Sequence, residues 1–314
     1  MTAVQKVLRC VPIQRCGGLS ILSRNVRLSL TIFLAFCALL GFSTSGLSAV
    51  EESHILDERQ LHPTKLTAHK PADAKFDNTV PSGWKLVHYR SGDKQLVAWM
   101  AIPSTPGPHP AIVFAHGGFA LNASYAAAMV PFLKAGYAVL LPSWRGENGN
   151  PGSYEMCFGE ADDAVAAIDF MSEQPGIDKN RIFAGGHSVG ATIMMLAAEM
   201  SPKLKKVGVS GGFPDMFTAG QSYGDAPFND GIASERLIRS PGRFVGDLKC
   251  PLLLCYGGDE HAEGEAFFLS QAKKMQTDAA ELKKSVKIEV IPKADHFSAL
   301  PGAISKMLAF FGQP

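Results

Sequence analysis

The 314-residue chain predicts an α/β fold with a mostly parallel central sheet and helices on both faces. Three observations predict it. Short Val/Ile/Leu/Ala runs without polar alternation recur from residue 109 onward, as strands buried on both faces do. Helical patterns separate them, with apolar residues at i, i+3, i+4 and i+7. An antiparallel hairpin precedes the series, because two strand-like runs flank a turn signal.

Residues 1–50 come first and read as a leader. Lys6, Arg9, Arg15, Arg24 and Arg27 stand there without an acidic residue, and Leu28–Val50 is uncharged, with Leu28–Phe42 strongly apolar. Small residues follow to Ala49, then Glu51 and Glu52. A basic region, an apolar region and a small-residue exit predict a secretory signal peptide cut after Ala49. The alternative is an uncleaved signal anchor, since 23 uncharged residues suffice to cross a bilayer. The expected location is therefore periplasmic or secreted, or membrane-anchored if the leader stays.

Residues 51–84 are polar, show no sustained period and read as a linker or wrapping arm; residues 85–314 read as one domain. Lys85–Arg90 and Gln95–Ile102 flank Ser91-Gly92-Asp93 and form the hairpin. Further strands are expected at Ala111–Ala115, Tyr137–Leu141, Arg181–Ala184, Lys206–Ser210, Leu252–Tyr256 and Val286–Ile291. Ala161, Ala164, Val165, Ile168 and Met171 mark one helix, and Ala191–Met200, Ala266–Ala279 and Ala303–Phe311 are others.

Composition narrows the function classes. A formal net charge of +1, with 46% hydrophobic and 19% charged residues, fits neither a nucleic-acid binder nor a disordered chain. Without the leader 25 basic residues face 29 acidic ones, a mildly acidic protein. Of six cysteines three lie in the leader; Cys157, Cys250 and Cys255 remain, with Cys255 inside a core strand and Cys157 expected to be the most exposed. No metal-ligand spacing or dinucleotide fingerprint occurs, so no cofactor is expected.

The chemistry gathers at strand ends. Gly186-His187-Ser188-Val189-Gly190 is a G-x-S-x-G between a predicted strand and a predicted helix, the setting of a nucleophile elbow. The sharp turn strains Ser188 and leaves no room for side chains at Gly186 and Gly190. A serine hydroxyl needs a base, and His296, after the last strand, is favoured over His261. An orienting acid should follow the 252–256 strand, where Asp259 and Glu260 are adjacent. Register favours Glu260 and residue type favours Asp259; both stay open. Oxyanion donors are expected at Val189, directly after the nucleophile, and at Gly118 in His116-Gly117-Gly118-Phe119. His116 is expected to brace that loop. Phe119, Trp144 and Arg145 are candidates for substrate contact; Arg145 either meets a substrate carboxylate or pairs with an acid such as Glu160. Residues 211–247, rich in Gly, Pro and aromatics, form either a pocket wall or a self-packed excursion.

With these residues in place, the chain from about Lys85 to Phe311 resembles the α/β-hydrolase superfamily. The branch is that of dienelactone hydrolases and the catalytic domains of prolyl-oligopeptidase-type (S9) serine peptidases. The stretches that carry the resemblance are HPAIVFAHGGF (109–119), GYAVLLPSWRGENG (136–149), DAVAAIDFMSEQPGIDKNRIFAGGHSVGA (163–191), CPLLLCYGGDE (250–260) and ADHF (294–297). It implies a serine hydrolase acting through an acyl-enzyme on a small-molecule ester or a short peptide, with no nucleic-acid partner. Membrane contact is expected only through an uncleaved anchor, and the sequence does not specify an oligomeric state. Three departures are informative. Ser188 stands where dienelactone hydrolases usually carry cysteine. Residues 51–84 could not build the β-propeller of the oligopeptidases. Gly190 is followed by Ala191, where the oligopeptidase elbow commonly has a second glycine. They shift the expectation from peptidase toward ester hydrolase; a non-catalytic binding protein on the same fold is the remaining alternative.

Overall fold

Eight strands build one sheet: β1 (Lys85–Ser91), β2 (Lys94–Ala101), β3 (His109–Ala115), β4 (Ala138–Pro142), β5 (Ile177–His187), β6 (Leu204–Ser210), β7 (Leu252–Gly258) and β8 (Val286–Pro292). The computed structural model describes residues 53–69, 79–216, 226–259 and 263–312. The predicted leader, Glu260, His261, Phe217 and Tyr223 lie outside the described residues. The strand order is β1-β2-β4-β3-β5-β6-β7-β8. β1 pairs antiparallel with β2, and β2 with β4; every later pairing is parallel. The expected hairpin and parallel sheet are both present.

The unalternating strands have their cause in the two faces of the sheet. Ala111, Val113 and Ala115 of β3 join one apolar cluster, with α4 (Gly159–Ser172), α5 (Val189–Met200) and α7 (Glu263–Glu281). Ile112 and Phe114 join the other, with α2 (Ala123–Ala128), α3 (Val130–Lys134) and α8 (Leu300–Gly312). A strand covered on both sides has no solvent face to make polar, which removes the period-2 signal. Cys157, Cys250 and Cys255 are all free and buried, and Cys157 is 0% exposed, contrary to the expectation that it would be the most accessible thiol. Burial raises the pKa of its thiol, and the nearby Glu160 carboxyl adds to the rise.

Four helices fall where the sequence shows no sustained period: α1 (Ile55–Leu61), α2, α3 and α6 (Ala233–Leu237). Each has at most seven residues, fewer than two turns, so long-range contacts hold it rather than an amphipathic stripe. α1 corrects the reading of 51–84 as wholly irregular. Asp247 accepts hydrogen bonds from Ile55 N (2.7 Å) and shares one with His54 Nδ1 (2.8 Å). Arg59 donates to Asp162 Oδ1 at 2.7 Å and lies 4.0 Å over the Phe158 ring. Farther along, Glu235 accepts from Thr64 Oγ1 and Lys65 N, both at 2.7 Å.

Topology places the site. β3 leads to β4 on one side, whereas β5 pairs on the other side of β3. The loops after β3 and β5 thus diverge, opening a crevice at the carboxyl edge where α/β sheets take their ligands.

Candidate active site

β5 runs farther than its apolar core suggests. Gly186 and His187 still pair with Val209 and Ser210 of β6, so the strand reaches Ser188, and α5 begins at Val189. Ser188 has φ 58° and ψ −125°, a left-handed conformation that a residue with a Cβ adopts only when its surroundings impose it. Its N–H donates to Ser210 O at 2.9 Å. The two glycines have steric causes: a Cβ at Gly186 would collide with Gly190 O, and one at Gly190 with the carbonyls of Ala115 and His116. The expected sharp elbow is therefore present, with β3 packed directly behind it.

Val189 is the first helical residue, and N–H groups in a first turn have no intrahelical acceptor. Together with the positive end of the helix dipole this suits a developing oxyanion. Gly118 lies on the loop after β3 at φ +76° and is exposed. His116 does brace that loop: it is fully buried, its Nε2 sits 3.0 Å from Glu147 Oε2 and its Nδ1 3.2 Å from Gly117 O. Phe119 is 48% exposed and packs edge-on against Tyr154 at 5.3 Å.

His296 follows β8 and lies over Gly211, the residue after β6. A Cβ on Gly211 would stand 2.7 Å from His296 Cε1 and 2.8 Å from Nδ1. Because the neighbouring Ser210 holds the Ser188 amide, the imidazole and the nucleophile elbow converge on one strand end. The acid loop reaches the same place, since β7 pairs with β8 through Gly258 and Pro292 and Asp259 N donates to Ala294 O at 3.0 Å. Asp259 is half-buried; Glu260 falls outside the described residues. Asp295 is occupied by its own turn, accepting from Phe297 N (3.0 Å), Ser298 N (2.8 Å) and Ser298 Oγ (2.6 Å).

Two candidates for substrate contact are engaged inside the protein. Trp144 is 1% exposed and stacks on His116, ring centroids 6.0 Å apart, so it supports the loop after β3 from beneath. The turn after β4 tucks inward because Asn150 Nδ2 donates to the carbonyls of Ser143 (3.1 Å) and Trp144 (2.9 Å). Arg145 is structural. It donates to both oxygens of buried Asp163 (Nε 3.0 Å, Nη2 2.8 Å) and to Glu155 Oε1 (Nη1 3.0 Å), rather than to Glu160. Burial opposes the charge, yet Asp163 and then Glu155 outweigh it and raise the guanidinium pKa.

Glu160 accepts the Glu155 N–H at 2.7 Å and is completely buried. Burial pushes its carboxyl up to about 8 from an ordinary 4.5. The folded protein thus keeps a proton that the unfolded chain releases near pH 4.5, and this contribution to stability is lost as pH rises toward 8. Glu160→Gln is expected to flatten the fall in Tm between pH 5 and pH 9, measured by thermal melts. An unchanged slope would assign the pH dependence elsewhere.

Part of the 211–247 stretch packs on the body: Phe244 and Phe228 are buried, and Arg239 lies 3.8 Å over the Phe228 ring. Residues 217–225, with the aromatics Phe217 and Tyr223 of the same stretch, lie outside the described residues. Sequence reasoning missed Tyr125, Phe297 and a role for His187. His187 occupies the x of G-x-S-x-G, where a ring next to a nucleophile is a usable signal. Tyr125 sits on a six-residue helix that leaves no periodic trace. Phe297, 75% exposed, stands edge-on to the His296 ring at 5.1 Å.

Residues 112–248 match the model of the alpha/beta hydrolase family. The chain is 24% identical over 202 residues to the uncharacterized peptidase YtmA of Bacillus subtilis (strain 168), covering 60% of this chain and 78% of that one. In structure it resembles the acylaminoacyl peptidase of Pyrococcus horikoshii, with a TM-score of 0.59 and 22% identity. That match covers 73% of this chain and 41% of the peptidase, so the chain spans about two fifths of that relative. An esterase from Pyrococcus furiosus is similar at a TM-score of 0.59 and 15% identity, over 79% of this chain and 99% of that one. At these identities the structural likeness is one of fold.

Proposed function

We propose that this chain, which has the α/β-hydrolase fold, is a serine hydrolase that cleaves carboxylic esters of small molecules through an acyl-enzyme. The observation that carries the reading is Ser188 at φ 58° on the elbow between β5 and α5, with the His296 ring over the adjoining end of β6. In the proposed reaction His296 takes the Ser188 proton as Oγ attacks the ester carbonyl. The N–H groups of Val189 and Gly118 hold the oxyanion, and the imidazolium returns its proton to the leaving alkoxide. Water, deprotonated by the same imidazole, then releases the acid and restores Ser188. Glu260, or its neighbour Asp259, orients His296. The exposed rings of Phe119 and Phe297 support an apolar group on the ester. The leader supports action after export.

A second reading, hydrolysis of short peptides, is favoured by the similarity to the Bacillus subtilis and Pyrococcus horikoshii peptidases. A fluorophosphonate probe tests the common premise: wild-type protein is expected to label and Ser188→Ala to remain unlabelled. Labelling that survives in Ser188→Ala would remove Ser188 as the nucleophile, and its absence from the wild type would overturn the hydrolase reading in favour of a binding protein. A panel of matched esters and short peptide amides then decides the bond, and amide turnover equal to ester turnover would favour the peptidase. For the acid, Glu260→Gln is expected to lower kcat by about 10²–10⁴-fold, with Asp259→Asn costing less. The reverse ranking would make Asp259 the orienting group.

A further inference from the structure

We propose that Tyr125 and His187 are positioning residues that lock the oxyanion loop and the general-base loop to the nucleophile elbow; this rests on the hydrolase reading above. A directional chain of hydrogen bonds carries it. Gly117 N donates to Tyr125 Oη at 2.7 Å, and Tyr125 Oη lies 2.9 Å from His187 Nδ1. His187 Nε2 lies 3.1 Å from the carbonyl oxygen of His296.

The proton directions follow from donor chemistry. A backbone carbonyl only accepts, so His187 Nε2 carries a proton and donates to His296 O. Tyr125 already accepts from Gly117, which leaves its one hydroxyl proton for His187 Nδ1. The Gly117 amide, the Tyr125 hydroxyl and the His187 ring thus form one path from the loop bearing Gly118 to the loop bearing His296. The middle link, His187, is covalently next to Ser188.

Packing points the same way. His187 is 3% exposed and Tyr125 9%. A Cβ built at Gly117 would meet Tyr125 Oη at 2.7 Å, Ser188 Cβ at 2.9 Å and His187 Nδ1 at 3.0 Å, so all three surround one point behind the nucleophile. The rings form a column: His116 to Tyr125 at 5.9 Å, Tyr125 to His187 at 6.1 Å, His187 to His296 at 5.0 Å. Burial pushes the Tyr125 hydroxyl up to about 12, keeping it a donor at working pH. Hydrolysis requires the hydroxyl, the imidazole and the oxyanion donors to share one geometry, and a shift of about 1 Å costs about 10²-fold in rate.

Two imitations of the imidazole separate the links. In His187→Gln the amide nitrogen reaches the place of Nε2 and keeps the donor to His296 O. In His187→Asn the amide oxygen reaches the place of Nδ1, keeps the Tyr125 link and loses the one to His296. The second-order rate of fluorophosphonate labelling of Ser188 and steady-state ester hydrolysis are the measurements, with Tm recorded for each variant.

We expect His187→Gln and His187→Asn, each of which keeps one link and breaks the other, and Tyr125→Phe to lose about 10–100-fold in kcat and labelling rate. KM should stay within about twofold, because neither residue meets the substrate. Tyr125→Phe removes a single oxygen and serves as the variant that folds. Wild-type rates in His187→Gln, His187→Asn or Tyr125→Phe, or losses that follow Tm alone, would overturn the tie. A wild-type protein that does not label would instead remove the hydrolase reading itself.

Discussion

His296→Ala is expected to lower kcat for ester hydrolysis by about 10⁴–10⁶-fold, the range seen when the imidazole of a serine triad is removed. The size follows from the state of the described neighbours His187 and Asp295, both engaged in other hydrogen bonds. His187 is adjacent, but its Nε2 is engaged with the His296 carbonyl and its Nδ1 with Tyr125. Asp295 is bound into its own turn, and its hydrogen bonds with Ser298 hold its pKa below the ordinary carboxylate range. His296 is only half-buried, so Tm should move little. A kcat within tenfold of wild type would show that Ser188 is activated by another group. Stopped-flow or steady-state turnover of a chromogenic ester, read beside thermal melts, makes the comparison.

Arg145→Met is expected to cost about 3–5 kcal/mol of stability, the range for removing one partner of a buried ion pair. Asp163 is 0% exposed, and the substitution strips it of two hydrogen bonds while leaving its charge in place. Glu155 loses its partner as well. Denaturant melts should show a lower midpoint with an unchanged slope. KM for a carboxylate-bearing ester should match wild type relative to a neutral ester, because no Arg145 nitrogen is directed to substrate. A selective rise in KM for the anionic ester at unchanged stability would restore the substrate-contact role.

The two predictions also mark where the amino-acid sequence is legible. Its elbow could be read because the turn is local: Gly186 is demanded by the Gly190 carbonyl within the same strand–turn–helix, while Gly190 answers to the carbonyls of Ala115 and His116 at the end of the adjacent strand. The central strands were legible because burial on both faces imposes continuous apolar runs, and the opening hairpin because of its turn; strand termini drifted by a few residues where glycines continue the pairing, as at the end of β5. Arg145 was ambiguous for the opposite reason. A guanidinium beside a strand end looks alike whether it faces ligand or carboxylate, and its partner, Asp163, lies 18 positions away on another element.

The short helices and the Tyr125–His187 tie belong to the second category. Their contacts join residues 62 positions apart, or 192 for the Asp247 bond to Ile55, and no periodicity records such pairings. The succession of strands along the chain, the two apolar faces and the sharp turn at Ser188 were thus present in the chain's own pattern, because backbone sterics and burial act on neighbours. The burial of Trp144 beneath the loop after β3, the pairing of Arg145 and the convergence of Gly117, Tyr125, His187 and His296 arise only when distant strand ends meet. Their energies depend on distance in space, to which sequence separation is no guide.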